Sequence, residues 1–185
     1  MEHNAANRGG TATAPLINGQ AQLTNMGLAL RALVDCMDAG ENSPRLGLFY
    51  GFSGYGKTVA SAFAAAQTGA GYLCARSVWT EKTLLKAIAA ELAISRPART
   101  AAEMLDQIIE ELGRSPRPLI IDEMDALVKR GSVEIIRDIH DATSSAILMI
   151  GEEALPAKLK EWERFDNRIL VAQPAQPASA EDALK

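Results

Sequence analysis

Short apolar runs alternate with longer amphipathic stretches along this chain. The runs predict buried strands because no charge interrupts them, and the stretches predict helices because their apolar residues recur every three or four positions. Strands are predicted at 46–50, 72–75, 119–121, 146–150 and 169–172. Helices are predicted from 24 to a stop at Gly40, at about 57–67, 81–93 and 100–112, from 132 onwards, and at 155–165. This alternation indicates an α/β fold with a five-stranded parallel sheet covered on both faces.

Composition divides the chain into a tail, a domain and a short end segment. Residues 1–18 hold few large apolar side chains to offset the entropy cost of ordering, so we expect a mobile N-terminal tail. Residues 19–173 carry all the predicted strands and form one domain. Residues 174–185 include Ser179, which is suited to cap a helix, but the sequence ends at Lys185. We expect there the start of a truncated or missing helical segment.

The overall composition limits the classes of protein to which the chain can belong. With 185 residues, 48% of them hydrophobic, it can bury one substantial core. It has no apolar run of the roughly eighteen residues that cross a bilayer and no secretory signal at its start, so we expect a cytoplasmic protein. The formal net charge of −4 gives no general attraction to DNA, so a DNA contact must come from a local patch.

The two cysteines, Cys36 and Cys74, lie in apolar or helical surroundings and lack the spacing of metal ligands. We interpret both as buried free thiols. We therefore expect neither a disulfide nor a cysteine metal site.

A glycine-rich segment lies between the first predicted strand and the next predicted helix. Residues 51–58 match the phosphate-binding pattern G-x-x-x-x-G-K-[ST], in which glycines let backbone N–H groups turn toward phosphates at a helix N-terminus. Lys57 is expected to neutralise the β- and γ-phosphates, and Thr58 to offer its hydroxyl to Mg²⁺. The residues expected to bind nucleotide are Gly51, Phe52, Ser53, Gly54, Tyr55, Gly56, Lys57, Thr58, Val59 and Asp122.

Two acids, Asp122 and Glu123, end the predicted strand at 119–121. Ligands of open parallel sheets bind at the carboxyl ends of the strands, so both acids are expected beside the phosphates. Asp122 is predicted to hold Mg²⁺ through water, and Glu123 to orient and deprotonate an attacking water. The simpler alternative is an acidic turn at a strand end. Together with the glycine-rich segment, the acids favour hydrolysis of a nucleotide.

Hydrolysis in such folds needs a cation near the γ-phosphate, and Arg164 and Arg168 flank the junction before the last strand. We favour Arg168, acting on a neighbouring subunit's ATP; the alternative is a solvated helix end with arginines placed near the helix dipole. Glu152, after the fourth strand, is a weaker candidate to touch the attacking water, because an added anion beside phosphate is unfavourable.

Several segments together resemble AAA+ ATPases of the Mu B transposition type, which select targets for transposable phages and related elements. The resemblance covers roughly residues 20–173 and is carried by residues 51–58, 122–125, 136–141, 150–155 and 165–169. It implies a three-layer P-loop NTPase fold with sheet order 5-1-4-3-2, whose C-terminal helical lid is here absent or truncated. It also implies ATP and Mg²⁺ as cofactors.

The resemblance further implies roles for single residues. Lys57, Thr58, Asp122 and Glu123 match the family's nucleotide-binding and catalytic residues, and Arg168 matches its arginine-finger region. The helix at about 24–30 is expected near the adenine. Such proteins complete each ATP site with the next subunit, assemble as helical filaments or rings on duplex DNA, and recruit a transposase, here in the cytoplasm of a bacterial host.

The family also places DNA-contacting loops after the second strand and near the start of the helix that follows the two acids. The residues at these places are Trp79, Thr80, Lys82, Lys129 and Arg130. They are expected to neutralise one or two DNA phosphates per subunit, without base readout. The alternative is that these are ordinary exposed helix ends and that Trp79 is simply packed.

Two departures from the family pattern bear on activity. Glu152 stands where these proteins more often have Asn, Ser or Thr, which leaves the hydrolysis rate open. The absent lid removes a second sensor arginine and part of the adenine pocket, so weaker ATP binding is expected.

Other functions remain open at this point. A helicase loader or replication initiator of the same superfamily predicts a preference for single strands or a helicase partner. A nucleotide-regulated signalling or scaffold protein without DNA binding is consistent with the acidic net charge. A P-loop enzyme with a small-molecule acceptor needs a substrate lid, and the sequence has no segment suited to that role.

Overall fold

A five-stranded parallel sheet forms the centre of the protein. The computed structural model describes residues 23–40, 43–129, 131–179 and 182. The strands lie in the order β2-β3-β4-β1-β5, which confirms both the predicted parallel sheet and the order implied by the resemblance. Their bounds are β1 Leu46–Tyr50, β2 Gly71–Cys74, β3 Leu119–Asp122, β4 Ile147–Gly151 and β5 Ile169–Pro174.

Helices cover the sheet on both faces. They are α1 Thr24–Met37, α2 Lys57–Thr68, α3 Glu81–Glu91, α4 Ala101–Arg114, α5 Asp125–Val128, α6 Val133–Thr143, α7 Leu155–Lys160 and α8 Glu163–Asp166. Successive strand residues point to opposite faces, so Ile120 packs under α1 and α2 while Leu119 and Ile121 pack under the other helices. The central strands β1, β3 and β4 are therefore nearly continuous apolar runs, because both of their faces are buried.

Helix α1 lies very close to strand β1. A Cβ atom at Gly47 would come within 2.9 Å of the Cys36 sulfur and 3.0 Å of Leu148, so this close approach requires glycine. The buried face of α1 holds Met26 and Leu33 together with small residues, whereas Leu28 and Leu30 are only partly buried.

The predicted start of α4 is confirmed. The Thr100 hydroxyl accepts the Glu103 backbone N–H at 3.2 Å, and the Glu103 carboxylate accepts the Thr100 backbone N–H at 3.4 Å. This capping box satisfies donors that the first turn of a helix leaves unpaired.

Two predictions for local structure are wrong, and one short helix was not predicted. The single helix expected over 155–165 breaks at Trp162, whose backbone angles of φ −103° and ψ 76° are not helical, and this break lets Trp162 and Phe165 both pack on the core. The short helix α5 was not predicted. Cys36 is buried, but Cys74 is exposed because it ends an edge strand.

The chain termini add little to this comparison. The predicted mobile tail at 1–18 lies outside the described residues, as do residues 180, 181 and 183–185 of the predicted C-terminal helix. Among the described residues, no helix is long and apolar enough to cross a membrane.

Candidate functional site

The glycine-rich segment forms the turn from β1 into α2, as its sequence predicted. Gly54 and Gly56 have φ values of +84° and +75°, in the left-handed region that glycine adopts without strain. A Cβ at Gly51 would lie 3.1 Å from that of Ala175, so the loop also passes close to the chain beyond β5. The N-terminus of α2, which starts at Lys57, therefore faces the space enclosed by the loop.

The Lys57 side chain folds back over this loop. Its ammonium nitrogen donates to the carbonyl oxygens of Gly51 at 2.7 Å and Phe52 at 2.8 Å. Phe52 and Val59 are each 56% exposed, and the Phe52 ring packs edge-on against Tyr55 with centroids 5.7 Å apart. The Lys57 ammonium is thus held against the loop by two carbonyl acceptors.

Asp122 at the end of β3 lies beside the loop and is almost fully buried. One carboxylate oxygen accepts hydrogen bonds from the Thr58 hydroxyl at 2.9 Å and from the Tyr72 hydroxyl at 2.8 Å. The other accepts the Glu123 backbone N–H at 2.8 Å. Desolvation by burial, followed by the hydrogen bond to Asp122, raises the pKa of Tyr72, so this phenol stays a protonated donor.

Glu123 follows in a strained backbone conformation. Its φ of +58° is in the left-handed region, which a residue with a side chain adopts at a cost of about 1–3 kcal/mol. Burial and then the neighbouring Asp122 and Asp125 carboxylates raise the pKa of Glu123, while Lys57 lowers it. Backbone strain and a raised carboxyl pKa at one residue are typical of functional sites.

These groups line one open pocket of about 300 Å³. Ser53, Thr58 and Val59 lie on its loop side, and Asp122 and Glu123 on its strand side. Glu152, after β4, also lines the pocket. The pocket thus brings together most of the predicted phosphate loop, the two acids and the weaker candidate Glu152. Gly51, Phe52 and Tyr55, which were also predicted to bind nucleotide, do not line it.

The fit of a magnesium ion is decided by the donors near Asp122. A carboxylate oxygen and the Thr58 hydroxyl, 2.9 Å apart, are hard oxygen ligands of the kind that Mg²⁺ takes. No cluster of three or more acidic, histidine or cysteine ligands occurs among the described residues. The two oxygens therefore suit an ion that completes its shell with phosphate oxygens and water, as nucleotide-bound Mg²⁺ does.

Asn25 in the first turn of α1 connects the phosphate loop to the chain beyond β5. Its side-chain amide donates to the carbonyl oxygens of Tyr55 at 2.7 Å and Gln176 at 2.8 Å, and its side-chain oxygen accepts the Gln176 N–H at 2.9 Å. This helix was predicted near the adenine, but Asn25 was not predicted as a residue of the site. A polar residue inside an apolar helical face was the available signal.

Asp125 holds the end of β4 next to the pocket. One of its oxygens accepts the Glu152 backbone N–H at 2.7 Å, and the other accepts from the Lys158 ammonium at 2.5 Å. A Cβ at Gly151 would lie 2.4 Å from the first oxygen, so β4 must end in glycine here. Asp125, Lys158 and Tyr72 were not predicted as residues of the site.

Arg168 lies at the amino ends of strands β1 and β5, opposite the end that carries the phosphate loop. It directly precedes β5, and its carbonyl oxygen accepts the N–H of Leu46, the first residue of β1. The five residues of β1, at about 3.3 Å each, separate this edge from the chain's own phosphate loop by roughly 16 Å. Arg168 and the pocket are therefore not brought together within one chain. Arg164, the alternative, is exposed.

Four of the five residues predicted to contact DNA are described, and Trp79, Thr80 and Lys82 follow the carboxyl end of β2 while Lys129 follows α5. Thr80 caps α3 by accepting the Thr83 N–H at 3.3 Å, and Lys82 is exposed in the first turn of that helix. Trp79 is half-buried against the larger core cluster. A hollow of about 400 Å³ has Trp79 and Lys82 on one side and Ser132 on the other.

The same region also contains a balancing charge. Glu81 lines the hollow beside Lys82, so the local charge is mixed. Lys129 is exposed just after α5, and Arg130 lies outside the described residues.

Comparison with known proteins places these observations in a family. The sequence model described as AAA domain matches residues 40–159, which include the phosphate loop and the two acids. No curated protein matches the sequence.

Two solved structures share the fold. The Aeropyrum pernix Orc1 protein, solved in complex with DNA, is 21% identical with a TM-score of 0.60, over 85% of this chain and 46% of that one. Cdc6p from Pyrobaculum aerophilum is 17% identical with a TM-score of 0.56, over 91% of this chain and 48% of that one. The chain spans about half the length of either protein.

Proposed function

The chain belongs to the AAA domain family, and on that premise we propose that it is an ATP-hydrolysing AAA+ protein that assembles on duplex DNA. The ATPase domain of this proposal spans residues 19–173. One observation carries the hydrolytic part: Glu123, strained and with a raised carboxyl pKa, adjoins Asp122, which bonds to Thr58 of the phosphate loop. A protein that only held a nucleotide would not need such a carboxylate.

In this proposal the loop binds the triphosphate of ATP. Its backbone N–H groups and the positive end of α2 contact phosphate oxygens, and Lys57 exchanges its bonds to the loop carbonyls for bonds to the β- and γ-phosphates. Thr58 and Asp122 hold Mg²⁺, which when bound offsets phosphate charge. Tyr72 keeps the Asp122 carboxylate turned toward Thr58.

Glu123 then acts on water. It orients a water molecule toward the γ-phosphorus and accepts a proton as the new P–O bond forms and the bond to ADP breaks. Its raised pKa brings the carboxylate nearer to the pH at which it works, which favours a general base. Asp125 fixes the Glu152 backbone at the rim of the same pocket.

Arg168 completes the site of a neighbouring subunit. Because it lies at the edge opposite its own phosphate loop, it can reach a γ-phosphate only across an interface between two copies. A guanidinium there offsets the charge that develops in the transition state and couples hydrolysis to assembly.

We propose that the assembly forms on duplex DNA, with Lys82 and Lys129 neutralising phosphates. One or two contacts per subunit are weak singly, but affinity accumulates along an oligomer and falls with added salt. Trp79, Thr80 and Arg130 remain proposed members of this surface. The Glu81 carboxylate in the same hollow keeps the affinity of a single subunit low.

The finer proposal is the role of the Mu B-like transposition proteins. There the ATP-bound filament or ring marks a DNA target inside a bacterial host cell and recruits or activates a transposase. The five segments of the sequence that resemble those proteins support it.

A second candidate is a replication initiator or helicase loader. One observation favours it: the Aeropyrum pernix Orc1 protein, which shares this fold, was solved with DNA. This candidate predicts a helicase partner or a preference for single-stranded DNA. A signalling ATPase without DNA binding is the remaining alternative.

Negative-stain electron microscopy tests the proposal. The protein is imaged with duplex DNA and a slowly hydrolysed ATP analogue, with ADP, and with single-stranded DNA in place of duplex. Filaments or rings on duplex DNA with the ATP analogue alone are the expected result. A preference for single strands favours the initiator or loader, and free particles under every condition contradict assembly on DNA.

A further inference from the structure

The last turn of α6 contacts the start of β1 and the start of β5, at the edge of the sheet opposite the phosphate loop. Here the Asp141 carboxylate accepts two hydrogen bonds from the side of the Arg168 guanidinium: one oxygen lies 2.5 Å from Nε and the other 2.6 Å from Nη2. The Nη1 nitrogen of Arg168 donates to the carbonyl oxygen of Arg164. This paired, planar contact fixes the direction of the guanidinium as well as its position.

His140 in turn fixes Asp141. The imidazole Nε2 accepts the Arg45 backbone N–H at 3.2 Å, so Nε2 carries no proton. The proton of the neutral ring is then on Nδ1, which lies 3.1 Å from the same Asp141 oxygen that Nε of Arg168 contacts. His140 is buried, and the hydrogen bonds from Arg168 and His140 hold the pKa of Asp141 below its usual range.

These contacts do not use all the N–H donors of the Arg168 guanidinium. Arginine has five N–H donors, and these contacts with described residues use one each on Nε, Nη1 and Nη2. One donor on each terminal nitrogen remains, and the side chain is 31% exposed. N–H donors of a guanidinium are suited to contact phosphate oxygens.

The neighbouring Arg137 does not compete with Arg168 for the Asp141 carboxylate. Arg137, one turn earlier on α6, is paired with Glu134 and Asp138. Both oxygens of Asp141 therefore remain bonded to Arg168.

We propose that Asp141, held by His140, is the positioning residue that presents Arg168 to the ATP of the neighbouring subunit. This rests on the proposed function, in which Arg168 acts across the interface. Asp141 does not touch the reacting atoms; it holds the guanidinium in one orientation, in which its remaining donors can reach the next copy. The alternative is a surface ion pair that only stabilises the end of α6.

The first test measures ATP hydrolysis by Asp141→Asn with duplex DNA. An amide can face Arg168 with only one acceptor, so the guanidinium loses its fixed direction. We expect kcat to fall by about tenfold to a hundredfold with KM for ATP little changed. Asp141→Glu should restore a substantial part of kcat, because it restores the carboxylate.

The control is Asp106→Asn, which removes an exposed acid of α4 that makes no hydrogen bond to Arg168. It should leave kcat unchanged. Thermal unfolding of each variant separates misfolding from misorientation. Equal kcat in Asp141→Asn and the parent protein overturns the proposal, as does an equal loss in Asp106→Asn.

Mixing two impaired variants gives a measurement that would not change if Asp141 had only a structural role. Glu123→Gln keeps an intact Arg168 and Asp141 but cannot hydrolyse its own ATP, whereas Asp141→Asn keeps Glu123. In mixed assemblies, the first supplies an oriented arginine to the ATP of the second, so activity should return. No recovery in this mixture, when Arg168→Ala mixed with Glu123→Gln does recover, overturns the positioning role.

The variant Arg168→Ala distinguishes the role of Arg168 from that of Asp141. Arg168→Ala should cut turnover while nucleotide affinity is kept, and Asp141→Asn added to it should cause no further loss. Unchanged turnover in Arg168→Ala overturns the proposed cross-subunit arginine itself. A loss in Arg168→Ala without a loss in Asp141→Asn overturns only the role of Asp141.

Discussion

The side-chain amide of Asn25 donates to the carbonyl oxygen of Tyr55 over 2.7 Å, so the first turn of α1 holds the phosphate loop. The same side chain exchanges two hydrogen bonds with the backbone of Gln176, beyond the last strand. One buried amide thus joins three segments far apart in sequence. Since all three meet beside the loop, nucleotide binding and the packing of α1 are coupled.

We predict that Asn25→Ala lowers both stability and nucleotide affinity. The change removes three hydrogen bonds to the backbone of Tyr55 and Gln176, each of which contributes about 0.5–1.5 kcal/mol. Urea unfolding and titration with a fluorescent ATP analogue measure the two effects. The control is Arg31→Ala, whose side chain is 78% exposed and whose ion pair with Asp35 contributes under about 1 kcal/mol. Equal effects of the two substitutions contradict the role of Asn25.

Tyr72→Phe should weaken the coupling of magnesium to nucleotide binding. It removes a hydroxyl that donates to Asp122 at 2.8 Å, and such a hydrogen bond contributes about 0.5–1.5 kcal/mol. The Mg²⁺ concentration needed for half-maximal ATP binding should rise by about twofold to tenfold. ATP binding without Mg²⁺ should stay unchanged.

The control for this prediction is Tyr50→Phe. The Tyr50 hydroxyl makes no hydrogen bond to a described residue, and the side chain packs against the core. An unaltered Mg²⁺ requirement in Tyr72→Phe shows that Asp122 does not depend on the phenol.

Gly151→Ala should destabilise the end of β4. The new Cβ would lie 2.4 Å from Asp125 Oδ2 and 2.7 Å from Leu155, an overpacking that costs about 1–3 kcal/mol. It should also slow ATP turnover, because Asp125 bonds to Glu152 at the rim of the pocket. Gly113→Ala, with open space around the added atom, should instead raise stability by about 0.5 kcal/mol. Denaturant unfolding of both variants measures the difference, and a neutral Gly151→Ala contradicts the close contact.

Lys82→Ala should weaken duplex DNA binding most at low salt. Removing one phosphate contact should reduce the slope of log affinity against log salt by about 1 for each subunit bound. Fluorescence anisotropy with labelled duplex over a range of salt concentrations measures the slope. Lys160→Ala is the charge-matched control, since Lys160 is exposed on α7, outside the predicted DNA-contacting regions. The same slope in both variants removes Lys82 from the DNA surface.

The sheet and the phosphate loop could be predicted because their signals are local. The central strands β1, β3 and β4 are nearly continuous apolar runs, since helices cover both faces, and the loop has a pattern set by the backbone that phosphates require. Helix α1 was predicted in place, but the burial of its alanines was not, because it depends on the close approach to Gly47, which favours small residues. The break at Trp162 depends on how Trp162 and Phe165 reach the core, which periodicity does not encode.

The residues that the sequence analysis missed have long-range partners. Tyr72 looked like one more strand residue, and only the alignment of β2 beside β3 brings its hydroxyl to Asp122. Asp125 meets Lys158 across 33 positions of sequence, and His140 meets Arg45 across 95. Such pairs follow from the strand order, so they become visible only when the fold is known.

The most direct test of the account is the nucleotide bound to Glu123→Gln after incubation with ATP, Mg²⁺ and duplex DNA. Glutamine keeps the shape of the side chain but cannot accept the proton of the attacking water, so the variant should retain ATP and remain assembled while the parent protein holds ADP and disassembles. Chromatography of the extracted nucleotide distinguishes the two. ADP in both proteins, formed at the same rate, would contradict Glu123 as the base and with it the proposed hydrolytic site.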